Sequence, residues 1–192
     1  GLAKLRSKAG EYILAAHEAK AKDMGDRIDR FAQDRKLVPV VVRRRIKALD
    51  AWQTNHHPVL APWFAYAAVP EADLAAKSKE LAARFASASG EDHPINARVA
   101  ALFKDQPPAS MKELSEAYGK LLRETDEAWR GLVKSASEKP SALTDAGQEE
   151  IRQLLYAEHA PARLPDGDTG DLLGDAVPKM RQLRAKVDEV DA

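Results

Sequence analysis

The chain has 192 residues, no cysteine, and 30 basic side chains against 30 acidic ones, so its formal net charge is zero. That length allows one domain or two small ones, and the missing thiols exclude disulfides, zinc–thiolate centres, cysteine nucleophiles and thioether-linked haem within this piece. Hydrophobic residues make up 44% of it, but only 6% are aromatic and ten are glycine, a profile that favours alanine-rich helices over a β-sandwich.

Helical spacing of Leu2, Leu5, Ala9, Tyr12, Ile13 and Ala16 predicts a first amphipathic helix. Met24, Ile28 and Phe31 extend the stripe toward Arg35, with Gly25 as a candidate break. A helix of that length reads as a coiled-coil-like arm. Pro39 suits the first turn of a second helix carrying Val42, Ile46, Leu49 and Trp52. Asn55-His56-His57-Pro58 ends it, because the residue before a proline is pushed out of the helical region. Val59 to Ala68, dense in apolar residues and holding Trp63, Phe64 and Tyr66, predicts a short buried helix.

Further helices follow from Pro70, with Leu74, Leu81 and Phe85 inward, and from Pro94, with Ile95, Val99, Leu102 and Phe103 inward. Pro107-Pro108 stops the latter. Ser110 and Glu113 form a capping box. It opens a long helix whose stripe is Met111, Leu114, Tyr118, Leu121, Leu122, Thr125, Trp129 and Leu132. Thr144 or Asp145 caps a helix with Ile151, Leu154 and Leu155. Residues 157–176 read as irregular, and Pro178 opens a last helix with Met180, Leu183, Val187 and Val190.

The expected fold is therefore all-α. The terminal helices, in 1–50 and 177–192, are expected to pair as an antiparallel hairpin arm on a helical body of residues 51–176. No apolar run approaches the roughly 18 residues of a membrane span, and no signal peptide is visible. The chain opens at Gly1 inside a helical pattern, which reads as a piece excised from a longer protein. Charge is unevenly spread: residues 1–50 hold 13 Lys and Arg against 7 Asp and Glu, and the remainder 17 against 23. The two parts either attract each other or present solvated faces of opposite sign.

Candidate sites are few. His56 and His57 are adjacent, so their side chains diverge, and His17, His93 and His159 lie in separate segments, so no zinc site is expected. His57-Pro58 and His93-Pro94 read as turns leading into helices. Asp166, Asp168, Asp171 and Asp175 suggest calcium, but the EF-hand register puts Asp171 where glycine is needed and Val177 where the bidentate glutamate is needed. The basic run Arg43-Arg44-Arg45 with Lys47, near Arg35-Lys36, lacks the net charge and reading module of a nucleic-acid binder. Asp126-Glu127 and Glu149-Glu150 read as surface charges. Trp52, His57, Trp63 and Tyr66 could form a ligand platform, although aromatics at helical spacing more often face a core. No motif calls for a cofactor or metal.

Four stretches in order carry a resemblance: Ala51-Trp52 leading to HHPVLAPWFAYAAVPEADLAAKSKELAARF, then PPASMKELSEAYGKLLRETDEAW, IRQLLYAEHAPARLP and the closing MRQLRAKVDEVDA. Together, over most of residues 3–190, they resemble the helical region of large planctomycete proteins that carry a cytochrome c-like domain and two domains of unknown function, between which this region lies. The resemblance implies an exported, periplasmic or otherwise extracytoplasmic parent whose haem sits in another domain. It supplies no functional residue in this region.

The expected function is that of a non-catalytic structural or interaction module that orients flanking domains or binds a protein partner. The alternative is a glycan-binding domain built on Trp52, His57, Trp63 and Tyr66. Exposure of the three aromatics beside a cleft favours that alternative, and burial of all three sinks it. An enzyme would need titratable groups converging in a pocket.

Overall fold

A computed structural model describes residues 2–86, 94–104 and 106–156. These are all-helical, with no strand among the described residues: α1 Leu2–Ser7, α2 Ala9–Ala21, α3 Ile28–Asp34, α4 Pro39–Thr54, α5 Ala61–Ala67, α6 Glu71–Ala86, α7 Ala97–Ala101, α8 Met111–Ser135 and α9 Ala146–Tyr156. None of these helices is long and apolar enough to cross a membrane.

The expected long first helix is broken into α1, α2 and α3. Its main break follows Ala21, where Asp23 takes a left-handed φ of 44°. The Met24 N–H donates to the Ala19 carbonyl and the Asp23 N–H to that of Lys20, the two bonds of a Schellman cap. Gly25, the predicted break, follows with φ 48°. The same cap ends α3 at Lys36, with Leu37 N–H donating to Ala32 O, and α4 at His56, with His57 N–H donating to Trp52 O. Each places a non-glycine residue in the left-handed region, which costs about 1–2 kcal/mol.

Instead of projecting as an arm, α2 lies inside the body and packs on both α4 and α8. Ala9, Ile13 and Ala16 join a large core with α5, α6, α7, α8 and α9, whereas Tyr12, Ala15 and Ala19 join a smaller one with α3 and α4. The reason is side-chain size. The face that α2 turns to α8 is small enough for backbone contact, and a Cβ on Gly10 would stand 2.5 Å from the Ser115 carbonyl oxygen and 2.7 Å from Gly119 Cα. Residues 177–192, the other half of the expected hairpin, lie outside the described residues.

The long helix α8 begins as predicted. Ser110 Oγ accepts from the Glu113 N–H at 3.1 Å, and Glu113 reaches back to accept from the Ala109 N–H at 2.8 Å. Its buried face is wider than the hydrophobic stripe, because Ser115, Gly119 and Asp126 are buried too. Asn96, which the sequence did not single out, caps α7 by accepting from the Arg98 and Val99 N–H groups. Its amide nitrogen donates to Gly147 O at 2.8 Å and to Glu150 at 2.7 Å, tying α7 to α9.

Candidate functional site

The four aromatic and histidine candidates do not assemble into a platform. Tyr66 is fully buried, stacked on Phe103 at 5.7 Å, with its hydroxyl near the Ser78 carbonyl. Burial pushes that phenol up to about 12. Trp63 is 1% exposed and meets Tyr118 edge-on at 5.9 Å. The Tyr118 hydroxyl donates to Val59 O at 2.7 Å, closing the core behind it. Trp52 is half-buried and meets His57 edge-on at 6.0 Å. That pair sits at the two positions which a Schellman cap brings into side-chain contact. His57 Nδ1 accepts from the Val59 N–H at 3.3 Å, as suits a turn leading into α5, and burial holds the ring below the usual histidine range.

Beside Trp63 runs a groove of about 310 Å³, with His17, Lys20, Gln53 and Phe64 on its walls. The His17 ring meets Trp63 edge-on at 6.0 Å, and burial lowers its pKa too.

A larger cleft, of about 570 Å³, opens where α1, the C-terminal half of α8 and the end of α9 meet. Arg6, Trp129, Arg130, Val133, Lys134 and Tyr156 line it, with Glu127 among them as a carboxylate. Val133 is 45% exposed. The side chains are held from below by Asp126, which is 5% exposed rather than on the surface as its sequence suggested. Arg6 Nε donates to it at 2.9 Å, the Tyr156 hydroxyl donates to the same oxygen, and Arg130 stands at 3.9 Å from the other. Burial, followed by that hydrogen bond to a carboxylate, raises the Tyr156 phenol to about 12. Asp126 thus joins three helices, and its buried charge is matched by Arg6.

The aromatic wall is fixed in a similar way. The Arg6 guanidinium lies 4.6 Å from the Tyr156 ring centre, and Arg152 lies 4.1 Å from that of Trp129. Such cation–π contacts stabilise by roughly 0.5–2 kcal/mol. Glu149 holds Arg152 bidentately, with both N···O distances 2.6 Å, and Arg152 drives the Glu149 carboxyl down to about 2. Lys134 stands in the last turn of α8, where a cation also complements the helix dipole.

The basic run is dispersed. Arg43 pairs with Asp29 at 2.5 Å, and Arg35 pairs with Glu18. Arg45 turns inward to 2% exposure. Among the described residues no three His, Asp or Glu side chains converge as a metal site, and the Asp166–Asp175 cluster lies outside them. Sequence reasoning missed the large cleft because its walls come from three distant segments. The nearest signal was Asp126 on the same helical stripe as Leu122 and Trp129. No family model matches the chain, and no curated protein or solved structure matches it either.

Proposed function

We propose that this chain is a non-catalytic helical interaction module of a larger exported protein, and that it docks a protein segment in the cleft between α1, α8 and α9. The observation that carries this reading is the grouping of Trp129, Tyr156, Arg6 and Arg130 beside the exposed Val133. Tryptophan, tyrosine and arginine are the residues that dominate binding energy at protein–protein contacts. Arg6 and Tyr156 are set in advance by Asp126, and Trp129 by Arg152 on Glu149, so these three lose little side-chain entropy on docking. The resemblance to the helical region of planctomycete cytochrome c-like-domain proteins supports the setting, between flanking domains outside the cytoplasm.

A second reading, glycan binding, rests on the groove beside Trp63, where Phe64 offers an aromatic wall and His17, Lys20 and Gln53 offer hydrogen-bonding groups. The test is an NMR titration of the whole chain with a panel of acidic, neutral and basic peptides and a panel of glycans. Peptide-induced shifts at Trp129, Arg130 and Val133 are the expected result. Glycan-induced shifts at His17 and Phe64, with the cleft silent to every peptide, would replace the first reading with the second.

A further inference from the structure

The cleft has a candidate occupant in the same chain. Helix α9 ends at Tyr156, which itself lines the cleft, so the chain continues from the cleft's own edge. After nine intervening residues it reaches DGDTGDLLGD, residues 166–175, which holds four aspartates, no cation, and the pair Leu172-Leu173. At up to about 3.5 Å per residue, the intervening stretch is long enough to return across the cleft.

The two surfaces match in chemistry. Arg6 and Arg130 share the Asp126 carboxylate, and Lys134 stands with Glu127 on the wall, so the cleft keeps a surplus of one positive charge. Val133, 45% exposed, offers an apolar surface beside those cations, with the nearly buried Trp129 one turn before it. An occupant that fits carries carboxylates flanking aliphatic side chains, which is the pattern of Asp171-Leu172-Leu173-Gly174-Asp175. The charge surplus is small, so the contact would be weak between separate molecules. A short tether changes that arithmetic, because it holds the segment at an effective concentration on the order of millimolar. A contact with a Kd of about 1 mM in trans is then enough for half occupancy in cis.

We propose that residues 166–175 dock in cis in the α1–α8–α9 cleft and compete there with the acidic, leucine-bearing class of partner that the cleft accepts. This rests on the cleft being a protein-docking surface. Because the chain has no cysteine, Thr169→Cys gives a unique attachment point for a nitroxide. In the full chain that label is expected to erase the NMR signals of Val133, Lys134 and the Trp129 indole N–H. Adding Lys134→Glu with Arg130→Gln, both exposed side chains, is expected to restore them, with circular dichroism checking that the fold is kept. Replacing all four aspartates by asparagine is expected to tighten binding of an added DGDTGDLLGD peptide to the cleft severalfold, by removing its competitor.

If the label leaves the cleft signals untouched while the added peptide still shifts them, the cis inference falls and the docking surface stands. If neither label nor peptide touches them, both fall. Erasure of signals that appears only when labelled and isotope-enriched copies are mixed, and fades on dilution, assigns the contact to a second copy and overturns the cis form. A label at Lys186 that erases these signals when one at Thr169 does not assigns the cleft to the last predicted helix instead, and also overturns it.

Discussion

Arg45 sits where the physics of charge disfavours it. Its side chain is 2% exposed, its Nε has no hydrogen-bond partner, and among the described residues no carboxylate pairs with it. Burial lowers the guanidinium to about 10, so it remains charged at neutral pH. What it gains is a cation–π contact with Trp52 at 5.5 Å, a matter of roughly 0.5–2 kcal/mol. Desolvating a cation costs several kcal/mol, and exchange of buried charge for an apolar side chain of similar volume often stabilises by about 1–4 kcal/mol. Arg45→Met is therefore expected to raise Tm by several degrees, since about 1 kcal/mol corresponds to roughly 2–4 °C in a domain of this size. A lower Tm in a calorimetric scan would show that Arg45 holds a partner whose value exceeds its desolvation. The spacing held a hint that the run of three arginines masked: Arg45 stands three residues after Val42 and four before Leu49, on the stripe that faces inward.

At the level of the helices, α2 and α8 cross with their main chains in direct contact at Gly10 and Gly119. Gly10→Ala places a methyl against main-chain atoms of Ser115 and Gly119, so relief requires the helices to separate. Overpacking of this kind costs about 1–3 kcal/mol. Gly131, also in α8, has nothing within 4 Å of an added Cβ, so Gly131→Ala is expected to stabilise by about 1 kcal/mol through helix propensity alone. Urea denaturation of the two variants measures both signs; equal effects would mean the crossing is looser than drawn. The ends of the helices were largely legible in the sequence. Pro39 and the Ser110–Glu113 pair act within one turn, and so does Asp145, which accepts from the Gln148 N–H at 2.6 Å. The stop after α4 was legible too, through Pro58, whereas those after α2 and α3 were harder to place, because Asp23 and Lys36 adopt a conformation for which glycine is the usual signal.

Across the molecule, the two hydrophobic clusters are not separate domains. Helix α2 contributes one face to each, and Ile46 of α4 packs on both. Losing either cluster removes the surface on which α2 rests. Tryptophan emission, which follows Trp52, Trp63 and Trp129 together, and far-ultraviolet circular dichroism, which follows every helix, are therefore expected to report one coincident thermal transition. Two separated midpoints would contradict the shared helix. The all-helical class could be read from composition and spacing, and so could the burial of α5. Neither the inward turn of α2 nor the cleft could be, since the bond from Arg6 to Asp126 joins residues 120 positions apart. The Gly10–Gly119 crossing also bears on how the sequence can drift. A clash between side chains can be relieved by trimming the neighbour, so most damaging core changes have second-site suppressors. At Gly10 the obstructing atoms belong to the main chain, which every amino acid possesses. A suppressor screen against Gly10→Ala should accordingly return reversion to glycine, and no compensating partner on α8.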